Sequence, residues 1–158
     1  IQWLVDAGLV YKVPLCKEVK LPLKVYEDPS AFKLFTLDLG LLGAMVGTEA
    51  KQVLIKNDIF SEYKGGMTEQ YVLEEMKSNG EENIFYHKSD DGTRLEIDFM
   101  IQRDGKLLPI EVKAEGNVRA NSLSNLLKQT PELHAFRYSM KPYIEQEQMT
   151  CYPLYAIQ

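Results

Sequence analysis

The sequence predicts an α/β domain in which a mixed β-sheet is flanked by helices. Three observations support this fold class: a β-hairpin pattern over residues 95–113, an amphipathic helix pattern over 67–78, and a helix pattern over 122–129 that a further strand follows. From residue 67 onward the predicted order is therefore helix, three strands, helix and strand. This order is typical of an α/β core, and the sheet is expected to carry the functional site.

The hairpin is the most strongly predicted element. Its first arm, 95–102, has the alternation of a strand, and its second arm is 107–113. Between them lie Asp104 and Gly105, a pair that favours hairpins because both positions of the turn prefer positive φ. The pattern therefore determines which residues of the two arms face each other.

The expected register brings two carboxylates together. With a two-residue turn, Asp98 lies opposite Glu111, and Glu96 lies opposite Lys113. Opposed residues have Cβ atoms roughly 4.5–5.5 Å apart, so two acids repel each other unless something compensates. A divalent cation, protonation of one acid, or exposure to solvent with Lys113 as a screen would each do so.

Strand alternation also assigns side chains to the two faces of the hairpin. On the first arm, one face is expected to carry Glu96, Asp98 and Met100, and the other Ile97, Phe99 and Ile101. On the second arm, one face is expected to carry Glu111 and Lys113, and the other Leu108, Ile110 and Val112.

The N-terminal part is expected to contain short elements. In order they are a helix that ends at Gly8, a strand at Leu9–Val13, an irregular or edge segment at Leu15–Val25, a turn at 27–30, a strand at Phe32–Leu37 and an apolar helix at Leu39–Val46. Asp38 is a candidate N-cap for that helix, and Gly47 is its expected end.

The helix predicted at Met67–Ser78 carries an acid on its apolar side. Glu69, Val72, Leu73 and Met76 recur at i, i+3, i+4 and i+7, so they share one face. Glu69 is therefore expected to point toward the core. An acid in the first helical turn is also favoured by the helix dipole, by about 0.3–1 kcal/mol, and this purely structural role remains an alternative.

The remaining chain is expected to alternate between short strands and turns. The predicted features are a strand at Ile84–His87, a turn at 89–92, a break after the hairpin at 115–117, a helix at Ser122–Gln129 capped by Ser122, a strand at Ala135–Met140 and an apolar tail at 152–157. His87 and His134 are expected to have packing or surface roles.

Composition restricts the functions to be considered. The 158 residues carry a net charge of −5, whereas nucleic-acid binders usually have a basic excess. An acidic chain can still act on nucleic acid if a metal neutralises its site and affinity comes from elsewhere. Lysines between residues 12 and 24 could contact phosphate or form a solvated edge. Phosphate-binding glycine loops, serine-hydrolase motifs and zinc-type spacings are absent from the sequence.

Location is expected to be cytoplasmic, with no contact with membranes. No apolar run approaches the roughly 20 residues that span a bilayer, and no secretory signal is visible. Cys16 and Cys151 lack metal-type spacing and are expected to be free thiols in a reducing compartment. The sequence opens at Ile1 within a helical pattern, so we expect it to be the C-terminal part of a longer chain.

Asp98, Glu111 and Lys113 match the pattern D-x(12)-E-x-K across a hairpin, which resembles the PD-(D/E)xK nuclease superfamily. The resemblance implies a restriction-endonuclease-like sheet flanked by helices. It also implies that Asp98 and Glu111 hold Mg²⁺ or Mn²⁺ and that Lys113 positions the attacking water. A Glu on the helix before the hairpin commonly points at the same metal, and Glu69 matches it as a metal ligand and catalytic residue.

Longer stretches carry a second resemblance, among them IQWLVDAGLVYKV, FKLFTLDLGLLGAM, KGGMTEQYVLEEM, FYHKSDDGTRLEIDFMI and LPIEVKAE. In this order they are similar to the C-terminal domain of unknown function that follows the ATPase module of predicted bacterial and archaeal AAA-type ATPases. Gln70 stands where the family often has Asn, and His87 where it usually has Trp.

This resemblance implies an organisation into two parts and a partner. Residues 1–30 would be a linker with a winged-helix-like remnant, and residues 31–158 the nuclease-like domain. The partner would be an ATPase module upstream in the same chain, with no ATP site in these residues. DNA is a further candidate partner, and oligomerisation stays open.

Three functional interpretations follow from the sequence. The first is a metal-dependent phosphodiesterase that acts on DNA, or less favourably on RNA. The second is a non-catalytic docking or oligomerising module of the ATPase that keeps a vestigial site, which the acidic net charge favours. In the third, the polar face of the hairpin is ordinary solvated surface.

Overall fold

The computed structural model describes residues 1–47, 61–89, 95–114 and 121–157. Within these residues, four α-helices accompany a mixed sheet of eight strands. The predicted mixed α/β class is therefore confirmed. None of the helices in the described ranges is both long enough and apolar enough to cross a lipid bilayer.

The helices and strands follow each other in the order that the sequence predicts from the long helix onward. They are α1 (Gln2–Asp6), β1 (Val10–Cys16), a 3₁₀ turn (Leu23–Tyr26), β2 (Glu27–Thr36), α2 (Leu39–Val46), α3 (Ser61–Ser78), β3 (Phe85–Lys88), β4 (Glu96–Arg103), β5 (Lys106–Lys113), α4 (Asn121–Gln129), β6 (Ala135–Ser139), β7 (Ile144–Glu145), β8 (Met149–Pro153) and a closing 3₁₀ turn (Leu154–Ala156). The predicted features at 90–92 and 115–117 and the side chain of Ser122 lie outside what the structure describes.

The strands lie in the order β2-β1-β3-β4-β5-β6-β8-β7. The pairs β1–β3, β5–β6 and β6–β8 are parallel, and the other neighbours are antiparallel. β4 and β5 therefore occupy the centre of the sheet, with β2 and β7 at its edges.

The first two strands belong to this sheet. β1 pairs with β2, and Leu15 of β1 pairs with Tyr86 of β3. The predicted turn at 27–30 is wrong, because this segment is the beginning of β2, where Glu27 and Asp28 pair with β1. The boundary expected between residues 30 and 31 falls inside β2.

Helix α2 has the predicted bounds and caps. The Asp38 carboxylate accepts a hydrogen bond from the N–H of Leu41 at 2.7 Å, and Gly47 takes a left-handed conformation with φ 68°. Helix α3 begins at Ser61, earlier than the predicted Met67, because Gly65 and Gly66 continue the helix instead of forming a flexible entry.

The two longer helices pack on opposite faces of the sheet. Helix α3 lies against one face, where the apolar side chains are Val72, Leu73, Met76, Phe99, Ile101, Ile110 and Val112. Helix α4 lies against the other, where the apolar side chains include Leu123, Leu126, Leu127, Met100, Ile97, Ala135 and Met149. The stripe predicted on α3 is thus the face that joins the core.

Strand β4 contains an extra residue relative to its neighbour. Phe85 pairs with Met100 and His87 with Ile97, so two steps along β3 match three steps along β4. Ile97 and Met100 are therefore buried on the same face, that of α4, while Phe99 packs toward α3. The predicted alternation, which put Ile97 with Phe99 and Met100 with Asp98, is wrong here because the bulge reverses it.

Candidate functional site

The hairpin has the predicted turn, and its register agrees with the prediction from Arg103–Lys106 to Phe99–Ile110, whereas the predicted pairs Asp98–Glu111 and Glu96–Lys113 are not part of the ladder. Arg103 pairs with Lys106, and the two residues between them both have positive φ: 51° for Asp104 and 72° for Gly105. This geometry matches the two-residue turn whose twist suits a hairpin.

The backbone ladder between β4 and β5 stops one pair short of the two predicted acids. Its last pair is Phe99 with Ile110. Beyond it, the Asp98 side chain takes over as acceptor, and its Oδ2 accepts a hydrogen bond from the N–H of Val112 at 2.7 Å. The strands thus separate at Asp98, and the carboxylate is held by a backbone donor of the partner strand.

A lysine from β2 lies among three carboxylates on the α3 side of the sheet. The Nζ atom of Lys33 is 3.2 Å from Oε1 of Glu96 and 3.5 Å from Oε2 of Glu69. The same amine lies 5.2 Å from the ring centroid of Tyr86. Together with Asp98, whose charge also acts on Lys33, these residues form what we name the Lys33 cluster: Lys33, Glu69, Glu96 and Asp98.

The fold disfavours the charge of Asp98. Burial, followed by the neighbouring charge of Glu69, raises the pKa of Asp98 to about 6. The hydrogen bond from Val112 and the charges of Lys113 and Lys33 oppose this shift without cancelling it. A pKa raised by burial and a like charge in a polar cluster is a recurrent property of functional carboxylates.

The charges of the cluster also act on its lysine. Burial alone would lower the pKa of Lys33, but the carboxylates of Glu69, Asp98 and Glu96 outweigh burial, and the pKa is raised above its ordinary value. Lys33 is therefore a stable cation within the cluster at neutral pH.

Glu111 is fully engaged by cations of its own chain. Its side chain is buried, its Oε2 accepts a hydrogen bond from Nε of Arg137 at 2.8 Å, and its Oε1 lies 3.0 Å from Nζ of Lys113. Arg137 stands beside Glu111 because β5 and β6 are parallel neighbours and these two residues share a register position. Buried acids need such partners, since an uncompensated charge is costly.

The predicted site residues thus form two neighbouring groups. Glu69 and Asp98 belong to the Lys33 cluster, while Glu111 pairs with Lys113 and Arg137. Lys113 connects the groups, because its charge also lowers the pKa of Asp98. Within the described ranges, no three His, Cys, Asp or Glu side chains are spaced to share one metal ion. The metal set of Glu69, Asp98 and Glu111 stays a prediction.

These side chains are not ordinary solvated surface. Glu111 is only 8% exposed, and Asp98 is half-buried. The side chains of Lys33, Glu69 and Lys113 are 26%, 28% and 26% exposed. Acids and amines this far from solvent need oppositely charged partners, because burying an unpaired charge is costly. The side chains of the site provide these partners for each other.

Two site residues escaped the sequence reasoning, Lys33 and Arg137. Each is a basic residue within a largely apolar stretch of a strand, AFKLFT and AFRYS respectively. A long cation at such a position indicates a buried acidic partner, and this signal could have identified both.

The sequence model of one family, described as a domain of unknown function (DUF4143), matches residues 64–156. No curated protein and no solved structure matches the chain. The matched region contains Glu69, Asp98, Glu111, Lys113 and Arg137, and it begins after the strand that carries Lys33. Because the match covers more than half of the chain, the chain belongs to the DUF4143 family of domains of unknown function.

Proposed function

We propose that this domain is a metal-dependent phosphodiesterase that cleaves DNA. One observation carries the proposal: the half-buried Asp98 carboxylate, at the point where the hairpin ladder ends, has Glu69 near it and Lys113 on the adjoining strand. These three residues resemble the PD-(D/E)xK arrangement on a restriction-endonuclease-like sheet, and this resemblance assigns each of them a role.

The residues present fit a divalent cation. Carboxylate oxygens are the ligands that Mg²⁺ and Mn²⁺ prefer, and Asp98 lies near enough to Glu69 for the charge of Glu69 to raise its pKa. A cation would stabilise the charge on Asp98 that burial and Glu69 disfavour. Glu111 would join as a further ligand by exchanging Lys113 or Arg137, which now occupy its oxygens.

The side chains of the chain itself position and compensate the reacting groups. When bound, a divalent cation supplies charge stabilisation at the phosphate and makes a bound water more acidic. Val112 fixes the orientation of Asp98 through its N–H. Lys113 offers a compact ammonium that holds the attacking water or a phosphate oxygen. Arg137 holds Glu111 in place from the neighbouring strand.

Asp98→Asn tests the proposal. This nearly isosteric change keeps an acceptor for Val112 but removes the charge. We expect the wild-type chain to nick plasmid DNA in Mn²⁺ and to lose this activity in EDTA. The variant should cleave slower by more than about 100-fold, the upper end for losing support of a metal ligand. Binding of Mn²⁺, followed by electron paramagnetic resonance, should weaken in parallel.

Asp104→Asn is the matched control, because it makes the same substitution in the same hairpin at an exposed turn residue. It should cleave DNA like the wild type. Equal cleavage by the wild type and Asp98→Asn would contradict the proposal, and so would a wild-type chain that binds no Mn²⁺.

A second candidate function is favoured by the pairing of Glu111. Both of its oxygens are occupied by basic groups of its own chain, and the net charge of the protein is −5. The domain would then be a non-catalytic docking or oligomerising module for an AAA-type ATPase upstream in the full-length chain. In that case the isolated domain binds the ATPase module, whereas Mn²⁺ and DNA leave it unchanged.

A further inference from the structure

We propose that the Lys33 ammonium is an internal counter-ion that competes with the divalent cation for the carboxylates of Glu69 and Asp98. This inference rests on the proposed function, because it assigns a residue and a form of control to the same metal site. Lys33 lies in β2, a strand that the sequence did not predict to be part of the site.

The position of Lys33 is unusual for a lysine on an edge strand. Such lysines ordinarily extend their amines into water, where they discourage pairing with other chains. Here three-quarters of the side chain is shielded from solvent, and the amine contacts acids from both α3 and β4. The amine is therefore directed into the acidic group and away from bulk solvent.

The carboxylates around Lys33 are those that the proposed metal needs. Oε2 of Glu69 is 3.5 Å from Nζ of Lys33, and Asp98 lies in the same cluster. Divalent cations bind carboxylate oxygens at roughly 2.0–2.6 Å. A metal on Glu69 and Asp98 would thus stand within a few ångströms of the ammonium, where two cations repel each other strongly.

The side chain of Lys33 can move away from Glu69. Its four-carbon stem is flexible, and its ammonium is a point charge that makes no fixed fork of hydrogen bonds. Glu96 is half exposed and lies 3.2 Å away, so the amine can retain this partner while it withdraws from Glu69. Entry of the metal and withdrawal of Lys33 are then one exchange, which lowers the apparent affinity for metal.

Lys33→Met tests this exchange through Mn²⁺ binding, measured by electron paramagnetic resonance without any substrate. Removing the competing cation should tighten binding by at least about tenfold, since a unit charge at this separation is worth more than that in a partly buried site. Lys33→Arg keeps the charge and should stay within about twofold of the wild type.

Lys106→Met is the matched control. Lys106 is an exposed lysine at the hairpin turn, so this variant has the same change in net charge far from the acids. It should bind Mn²⁺ like the wild type. Lys33→Gln provides a second variant that retains a polar donor, and it carries the test if Lys33→Met does not fold by circular dichroism.

The outcomes separate this inference from the proposed function. If the wild type binds Mn²⁺ and the folded Lys33 variants bind it no tighter, the inference is overturned while the metal site stands. If the wild type binds no Mn²⁺, both are overturned. If the wild type binds Mn²⁺ and binding tightens in Lys33→Met but not in Lys106→Met, the inference is supported.

Discussion

At the residue scale, the electrostatics of Asp98 make the stability of the fold depend on pH. Its pKa in the folded protein is about 6, above the ordinary value of 3.8. Between these two values the folded protein binds a proton that the unfolded chain has already released. The stability that this proton confers is full below about pH 4 and is lost as the pH rises through 6.

Asp98→Asn should therefore stabilise the metal-free protein at pH 7.5, by about 1–3 kcal/mol, because it removes a charge that burial and Glu69 disfavour. Urea unfolding in EDTA measures the difference. It should shrink toward zero below pH 4, where Asp98 is protonated in both states. A variant less stable than the wild type at pH 7.5 would contradict the assignment, and Asp104→Asn again serves as the control.

The same residues show which part of the site the sequence could predict. Asp98 and Glu111 were singled out because the register expected for them depends on a local turn at Asp104 and Gly105, although the observed ladder ends at Phe99 and Ile110. Lys33 and Arg137 were not, because Lys33 contacts acids of α3 and β4, Arg137 contacts Glu111 from β6, and all of these partners are distant in sequence. Local pattern indicates the turn and the nearby register, but it does not indicate which strand lies beside another or where a bulge reverses the faces.

At the element scale, the hairpin depends on a turn that only some residues can form. Gly105 has φ 72°, and a Cβ placed on it would meet nothing within 4 Å. A substitution there would therefore be disfavoured by backbone conformation alone. Gly65 offers the opposite situation, since it lies inside α3, takes no positive φ and also has open space.

Alanine at these two glycines should have opposite effects. Gly105→Ala should lower the free energy of unfolding by about 1–2 kcal/mol, because an L-residue is strained in the left-handed region. Gly65→Ala should raise it by about 0.5–1 kcal/mol through helix propensity. Urea unfolding of both variants under the same conditions gives the comparison, and changes of the same sign would refute this account.

Element ends were predictable wherever a local signal marks them. The cap at Asp38, the left-handed Gly47 and the end of α3 at Ser78 all follow such signals. The beginning of α3 does not follow a local signal. Two glycines oppose helix formation locally, while the apolar stripe beyond them anchors the helix on the sheet. Strands β7 and β8 were also not predicted as separate elements, since their formation depends mainly on pairing with neighbouring strands.

At the scale of the whole molecule, the sheet order separates a protected centre from open edges. β4 and β5 have neighbours on both sides and helices on both faces, whereas β2 and β7 each pair on one side only. The Lys33 cluster links the β2 edge with the centre across β1 and β3, since Lys33 comes from β2 and Asp98 from β4.

Hydrogen exchange should follow this order. We expect the slowest amides in β4 and β5, because their exchange requires the largest opening. The fastest strand should be β7, together with helix α1, in which no residue is buried. Exchange measured by mass spectrometry on peptides of these segments provides the test, and amides in β7 as slow as those in β4 would contradict it.

The fold class could be predicted because element order alone indicates it. The strands at Leu9–Val13 and Phe32–Leu37 were predicted, but their membership in the same sheet was not, since the lysine-rich segment Leu15–Val25 that follows the first of them resembles an irregular edge. Pro14 is accommodated where the β1–β2 register shifts, between Pro14 and Leu15. A register shift of this kind depends on the partner strand and leaves little trace in the sequence.

The additional residue in β4 has a final consequence for relatives of this domain. Because of this residue, the side chains of Asp98 and Phe99 face the same layer. The direction of the Asp98 side chain therefore depends on the number of residues in β4 and not on the residue types around it. Shortening β4 by one position would leave every nearby residue type unchanged and yet aim the carboxylate at the opposite layer. An alignment that preserves the acid but not this spacing would therefore match a carboxylate that faces the α3 layer with one that faces the opposite layer.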